Sequence, residues 1–474
     1  MNWQNNKTPL FFALFYIVLF FFIKDNPFFW DTIHLASKQA HWYFENNFQY
    51  FFLPEELDSG HPPGFSIVLA TLWVLFGKSL WVGHAMIMVF SIGIVFLLHH
   101  LGRFFLGEKA TVFLLLLTTV DPFIAGQSTL VSPDVLVLFF WLLGLWAVVK
   151  NKNYLLIFAG LCLACMSMRG MMLVVVLFLF NLVWIYLNDR MEWKSTALVK
   201  RVLPYVPAGL LGLAFLAGHY EHTGWIGYHE DSSWAPAFEK VDFKGFVKNV
   251  AVLGWRMLDF GRVFLWLVLG FVVLRWRRSW QLDAKGKALI ALLLICSVIL
   301  LPSLLMHAHL LAHRYLLPLI LVLNFIFIYL IFSQKTPYSA SRYLFAIVFI
   351  GMFTGNFWVY PRKISQGWDS TLGHLSYFPL RREMIQFIDQ QAIPLETIGT
   401  AFPENVIIRY LDLSDRADGF GSQAEGAFEY VLYSNVMNDF SDESIDALDS
   451  NFKIVKRFDR LGVCLILYKK KPGK

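Results

Sequence analysis

Long apolar stretches separated by short polar ones fill the first three quarters of the chain. A helix needs about 20 residues, most of them apolar, to cross a bilayer, and eleven stretches approach that length. The pattern predicts a polytopic α-helical membrane protein with about 11 transmembrane helices. The predicted spans are 8–23, 80–101, 110–129, 133–149, 154–168, 171–187, 202–219, 250–274, 286–306, 313–332 and 341–359.

A further apolar stretch, 65–76, is about a dozen residues long and therefore predicts a juxtamembrane or re-entrant helix. Basic residues concentrate in alternate loops, and loops of this kind face the cytoplasm. With a cytoplasmic N-terminus, this alternation holds only if 65–76 does not cross. Residues 24–79 then form a large outer loop with juxtamembrane helices, and 220–249 form a second outer loop.

The chain changes character after residue 360, where charged and apolar residues alternate. The segments 384–391 and 441–450 have helical patterns, whereas TIGTAF, EYVLYS, FKIVKRF and VCLILYKK resemble strands. We therefore predict a transmembrane domain over 1–360 and a small α/β domain over 361–474. Since 11 spans separate this domain from the N-terminus, we expect it on the outer face.

Composition supports the membrane class. Hydrophobic residues make up 57% of the chain and charged residues 16%, with a mean hydropathy of +0.54. Soluble domains carry about 25% charged residues. The net charge of +6 comes largely from the loops between apolar stretches, where basic residues set orientation. We therefore expect membrane lipids as partners and no nucleic acid.

Two acidic residues stand at predicted outer ends of spans. Asp31 follows Trp30 shortly after the first span, and Asp134 begins a span in Ser132-Pro133-Asp134. A carboxylate among aromatic rings is partly desolvated, which suits a general base. Asp31 is equally well placed to cap a helix, and Asp134 in a first helical turn is favoured by the helix dipole. Both are candidate catalytic residues.

Several polar residues lie at the same predicted ends. The sequence places His61 in a His-Pro-Pro-Gly run, Arg169 between two spans, and Arg314-Tyr315 at the start of another. Arginines there either bind phosphate or extend to the membrane interface. Further candidates for contacting substrate are His34, Lys78, His222 and His229. A weak candidate metal pair, with i, i+4 helical spacing, is formed by His309 and His313.

Taken together, these motifs resemble the GT-C glycosyltransferases, in particular the bacterial protein O-mannosyltransferase and aminoarabinose-transferase-like group. The resemblance covers roughly 1–360. It differs at Thr32, where many members carry a second acid, and at His61 and Arg169, where some members have lysine. The matching features are Asp31, HPPG at 61–64, LGRFFLGEKA at 101–110, SPDVLVLFFWLLG at 132–144, RGMM at 169–172 and HRYLLPL at 313–319.

The resemblance implies an inverting transfer of a sugar from a polyprenyl-phosphate donor to a lipid, glycan or protein acceptor. It implies that this occurs on the periplasmic face of a bacterial inner membrane. Asp31 would be the base and Asp134 a second acid, with donor phosphate bound by His61, Arg169, Arg314 and Tyr315. No cofactor is required, and a divalent metal is left open.

Two other functions remain open at this point: a transporter or lipid flippase with an outer-face domain, and a non-catalytic scaffold. A transporter would show repeat symmetry and ionisable residues near mid-membrane.

Overall fold

A computed structural model of the chain describes residues 7–188, 196–230, 235–276, 282–332, 337–424, 426 and 428–471. Its first part is helical, as predicted. The helices are α1 (Lys7–Ile23), α2 (Gln39–Glu45), α3 (Gly64–Phe76), α4 (Leu80–Phe105), α5 (Glu108–Val120), α6 (Pro122–Ser128), α7 (Pro133–Lys150), α8 (Asn153–Met166), α9 (Met168–Asn188), α10 (Thr196–Val202), α11 (Val206–Thr223), α12 (Ala235–Phe238), α13 (Phe243–Leu258), α14 (Val263–Trp276), α15 (Ala284–Leu305), α16 (Leu317–Phe332) and α17 (Tyr338–Gly355).

Six helical segments among the described residues are long and apolar enough to cross a membrane. Two bent helix pairs raise that number to eight, and α1, α3 and α8 are shorter apolar helices. The helical membrane class is therefore confirmed. The total of 11 spans, and a position of α3 outside the bilayer, stay predictions.

Two predicted spans, 110–129 and 250–274, are wrong as continuous helices. The first bends by 64° between α5 and α6, where Asp121 caps α6 by accepting a hydrogen bond from the Phe123 amide. The second bends by 90° between α13 and α14. Phe260 and Gly261 have positive φ values of 49° and 81° there, which no α-helix accommodates. At both bends the helix is interrupted beside a charged side chain that is bonded within the protein. The apolar pattern of the sequence does not reveal such an interruption.

These two bends are joined by buried charge. The Arg262 guanidinium donates to the Asp121 carboxylate, and both side chains are fully buried. Asn324 of α16 also donates to Asp121, over 2.9 Å. A Cβ atom at Gly355 of α17 would overlap the Phe260 carbonyl oxygen, so only glycine permits this close approach. The bend of α13–α14 is thus fixed against α6, α16 and α17.

The first loop is compact. Thr32 Oγ accepts a hydrogen bond from the Phe29 amide and donates to the Phe29 carbonyl, which closes a turn around Trp30. Trp30 has a φ of 54°, and a π-helix (Ile33–Lys38) follows the turn and leads into α2. Thr32, the position at which the resemblance led us to expect an acid in many members, is therefore a structural residue here. The alternative role of Asp31 as a helix cap does not hold, because the helix that follows has Thr32 at its N-cap position.

The C-terminal part is an α/β domain, as predicted. Its helices are α18 (Tyr377–Gln390), α19 (Arg409–Asp412) and α20 (Asp442–Asn451). Its strands are β1 (Ile398–Thr400), β2 (Gly421–Ser422), β3 (Tyr430–Ser434), β4 (Phe452–Arg460) and β5 (Val463–Lys470). The sheet order is β2-β1-β3-β5-β4, with β1 parallel to β2 and β3 and the other pairs antiparallel. All four strand-like runs contain strands, whereas β2 was not foreseen.

This domain is docked on the first loop and on α6. Its apolar core takes in Phe29 and Leu130. The Phe28 amide donates to the Leu411 carbonyl over 2.8 Å. Gln127 of α6 donates to the Asp369 main-chain oxygen over 2.8 Å. The docking places residue 369, far along the chain, beside the ends of the helices.

Candidate active site

Arg314 lies at the centre of a buried group of charges where the helices meet the first loop. It donates to Asp31, and its Nη1 donates to Asp369 Oδ2 over 2.9 Å. Its Nε lies 3.6 Å from Asp134 Oδ2. The Arg314 side chain is only 7% exposed, so these carboxylates compensate a charge that water barely reaches.

Arg169 completes this group, which we call the Arg314 cluster (Asp31, Asp134, Arg169, Arg314 and Asp369). Arg169 donates to Asp134, and its guanidinium lies 3.9 Å from the centre of the Tyr315 ring. Arg314 donates to the Tyr315 hydroxyl over 2.9 Å. Four of the predicted catalytic and phosphate-binding residues, together with Tyr315, therefore converge although they are far apart in sequence.

Local sequence fixes the members of the cluster. Ser132 caps α7 by accepting a hydrogen bond from the Asp134 amide, which holds Asp134 in the first turn. At Gly170, a Cβ atom would overlap the Leu163 carbonyl oxygen, so glycine allows α9 to start against α8. Arg169 is thereby held in the first turn of α9. Arg314 lies in a 3₁₀ turn (His313–Leu316) that leads into α16.

Two cavities flank the cluster. The first, of about 160 Å³, is mainly apolar and is lined by α9 and α15 together with His61, Arg169 and Tyr315. The second, of about 450 Å³, lies towards the C-terminal domain and contains Asp31, Arg314, Tyr315 and Asp369 in its wall. Tyr315 lines both. We call the first the apolar cavity. We call the second the polar cavity, because the charged side chains of the cluster lie in its wall.

His61 lies beside the cluster, in the wall of the apolar cavity. Burial lowers its pKa to about 4, and the nearby Arg169 and Arg314 charges act in the same direction. Its Nδ1 is buried and has no hydrogen-bond partner among the described residues. The His61 imidazole therefore lines the apolar cavity with a buried, unpaired ring nitrogen, and its contact with the donor phosphate stays a prediction.

Four predicted substrate contacts lie outside the cluster in the described structure. His34 stacks on Phe402 with ring centres 5.6 Å apart, and His222 stacks on Phe52 at 5.1 Å. His229 lies 3.4 Å from Glu55, and Lys78 follows α3. His222 and His229 thus pack on the first loop. His219 does so too, through a buried contact of 2.9 Å with Asp58 of that loop, a pair that the sequence did not single out.

The helical spacing of the candidate metal pair is wrong, because α15 ends at Leu305 and helical structure resumes only at His313. His309 is exposed, whereas His313 is buried and bonds Asp259 over 3.0 Å. In the described ranges, no three His, Cys, Asp or Glu side chains converge as a metal site would require. A role for a divalent ion stays untested.

Asp369 is the member of the cluster that sequence reasoning missed. It follows the last helix of the transmembrane part, in a segment read as the beginning of a separate domain. Its carboxylate is 6% exposed and also accepts from Ser370 Oγ over 3.0 Å. The sequence carries one weak signal, a lone acid in the apolar and small-residue run around Trp368.

The helical membrane fold thus carries a buried cluster of charges at one end of its helices. Residues 60–220 match the family model described as dolichyl-phosphate-mannose-protein mannosyltransferase. A sequence comparison with curated proteins gave no significant match.

Solved structures show the same fold. The chain is 12% identical to ArnT from Cupriavidus metallidurans bound to undecaprenyl phosphate, with 97% of each chain covered and a TM-score of 0.53. The apo state of that protein gives 12% identity, 97% coverage of each chain and a TM-score of 0.50. The chain therefore has the GT-C fold, and its resemblance to glycosyltransferases of the ArnT and protein mannosyltransferase type is confirmed.

Proposed function

We propose that this protein transfers a sugar, with inversion, from a polyprenyl-phosphate donor to an acceptor on the periplasmic face of a bacterial inner membrane. The observation that carries the proposal is the position of the Arg314 cluster. It lies between a mainly apolar cavity suited to a lipid-linked donor and a polar cavity suited to an acceptor. The ArnT structure with undecaprenyl phosphate supports the choice of donor.

On the donor side, the leaving group is a phosphate, which gains negative charge as the bond to the sugar breaks. Cations held in place before the reaction stabilise such charge. Arg169 and Tyr315 line the apolar cavity, and we assign them to the phosphate together with His61 as a neutral hydrogen-bond donor. Arg314, held by three carboxylates, orients Asp31; its predicted direct contact with phosphate stays a prediction.

On the acceptor side, Asp31 is the proposed base. Its side chain is 17% exposed and lines the polar cavity, where an acceptor hydroxyl can reach it. The hydroxyl oxygen attacks the anomeric carbon while its proton passes to the Asp31 carboxylate. The bond between the anomeric carbon and the phosphate oxygen breaks, and the polyprenyl phosphate leaves with the electron pair. Asp134 serves as a second acid that fixes Arg169.

The test is replacement of the proposed base. Asp31→Asn keeps the shape of the side chain and an oxygen that accepts from Arg314, but removes proton acceptance. We expect a loss of about 100-fold to 10,000-fold in transfer. Asp25→Asn is the matched control, since Asp25 lies in the same loop, is 68% exposed and pairs with Lys24. Mass spectrometry of envelope glycans and lipids, with and without each variant, reads out the product.

A glycoform or glycolipid should disappear without the protein, return with wild-type and Asp25→Asn, and stay absent with Asp31→Asn at equal protein level. Full activity of Asp31→Asn would remove the base assignment. No change in any glycan or lipid would count against the transferase function itself.

A further inference from the structure

The polar cavity has a wall that the transmembrane part does not supply. Gln366, Asp369, Phe402, Asn438 and Asp439 line it from the C-terminal side, opposite Trp30 and Asp31. Its volume, about 450 Å³, lies within the range of about 300–1,000 Å³ that is usual for small-ligand sites. The C-terminal domain thus encloses the space in front of the proposed base.

Aromatic rings from the two sides of the polar cavity are in contact with each other. Trp30 meets Phe402 edge-on, with ring centres 6.2 Å apart. His34 stacks on Phe402, and burial lowers the pKa of His34 to about 4, which leaves its ring uncharged. Phe402 itself is only partly buried. The cavity therefore offers a rigid, neutral aromatic surface, against which the C–H face of a sugar ring packs well because the ring face is electron-rich.

The charges of the cavity disfavour an anion. Arg314 is compensated by Asp31 and Asp369, and Arg256 lies 3.5 Å from Asp259. Asp439 accepts a hydrogen bond from the Phe402 amide, and no cation pairs with it in the described part of the chain. Partial burial raises the pKa of Asp439. This carboxylate can accept hydrogen bonds from ligand hydroxyls, whereas it would repel a phosphate.

We infer that the polar cavity is a carbohydrate site, in which Phe402 stacks on a neutral sugar ring of the acceptor and Asp439 binds its hydroxyl groups. The inference rests on the proposed function and names its acceptor as a hydroxyl of a glycan. It also gives the C-terminal domain a direct task, the recognition of the acceptor.

The experiment measures saccharide binding directly, by saturation-transfer NMR on the full chain in lipid nanodiscs. The probes are glucose, cellobiose, maltose and chitobiose, with glucose 6-phosphate as the charged counterpart and a serine- and threonine-rich peptide as the alternative acceptor. We expect at least one neutral saccharide to bind and the phosphorylated sugar to bind more weakly.

Variants then locate the site. Phe402→Ala should weaken saccharide binding about fivefold or more, whereas Phe402→Trp, which keeps a stacking ring, should retain it. Asp439→Asn should weaken binding by about threefold to tenfold. Asp446→Asn is the control, because Asp446 is an exposed acid of the same domain that pairs with Lys363. In transfer assays, the Phe402 and Asp439 variants should raise the acceptor KM more than they lower kcat.

The outcomes separate the two proposals. Binding of the peptide alone, of the phosphorylated sugar alone, or of no probe would overturn the carbohydrate site, as would binding unaffected by Phe402→Ala. If Asp31→Asn abolishes transfer while no saccharide binds, only this inference fails. If saccharides bind through Phe402 and no glycan or lipid in the envelope depends on the protein, only the proposed function fails.

Discussion

The role of Asp369 gives a test of the cluster that is independent of any substrate. We consider Asp369→Ala, which removes one of the three carboxylates around Arg314. The change deletes the 2.9 Å bond from Arg314 Nη1, the 3.0 Å bond from Ser370 Oγ and a weaker 3.4 Å contact with Gln127. Because Asp369 and Arg314 are 6% and 7% exposed, water cannot readily replace the lost partner.

The expected cost follows from this burial. Breaking a buried ion pair by removing one partner destabilises a protein by about 3–5 kcal/mol, because the other charge is left uncompensated. Here Asp31 and Asp134 still neutralise Arg314, so we expect the lower part of that range. Asp369→Asn keeps an acceptor oxygen for Arg314 and removes only the negative charge, so it should destabilise the chain less than Asp369→Ala does.

The assay is thermal or denaturant unfolding of the purified chain in detergent, followed by tryptophan fluorescence. Asp459→Ala is the matched control, because Asp459 pairs with Arg457 at 2.7 Å but is about half exposed. An exposed pair of this kind contributes at most about 1 kcal/mol. If the proposed function holds, Asp369→Ala should also lower transfer about 100-fold, since a displaced Arg314 no longer orients Asp31.

The reasoning is refuted if Asp369→Ala is no more destabilising than Asp459→Ala. That result would mean that Arg314 is solvated or finds another partner when Asp369 is removed. A normal unfolding profile with lost transfer would instead indicate a role in chemistry and not in the packing of the cluster.

Two further predictions concern stability. Gly355→Ala should destabilise the chain by about 1–3 kcal/mol, because its Cβ atom would overlap the Phe260 carbonyl. Gly254→Ala is the control in the same unfolding assay and should be neutral or stabilising, because the space around Gly254 is open. Equal effects of the two substitutions would contradict the close approach at Gly355. Burial lowers the pKa of His61 and His374 to about 4. Below about pH 6.5 the unfolded chain therefore binds more protons than the folded chain. The free energy of unfolding should fall between pH 6.5 and 4 by up to about 3 kcal/mol per histidine. Unfolding temperatures that stay constant across that window would show that these imidazoles are not buried.

Much of the fold follows from patterns that are local in sequence. The apolar stretches predicted helices with the right order and nearly the right bounds, as at 133–149 and α7, because apolar length reflects the thickness of a bilayer. The alternating runs after residue 360 predicted four of the five strands, because successive side chains of a strand point to opposite faces of a sheet. Where a helix bends, as at Asp121 and at Phe260–Gly261, the cause is a partner elsewhere in the chain, and the pattern fails.

The candidate site, like the fold, was predicted from the sequence only in part. Sequence motifs alone identified Asp31, Asp134, Arg169, Arg314 and Tyr315, because ionisable groups at the ends of apolar segments are costly and therefore conspicuous.

Only the tertiary structure decided how these groups meet. Asp31 pairs with Arg314, burial lowers the pKa of His61, and Asp369 joins the cluster from a distant part of the sequence. Charge state and pairing depend on neighbours that are distant in sequence. The sequence therefore determined which ionisable residues are available, and the packing of helix ends, first loop and C-terminal domain decided which of them lie in contact, because that packing joins residues distant in the chain.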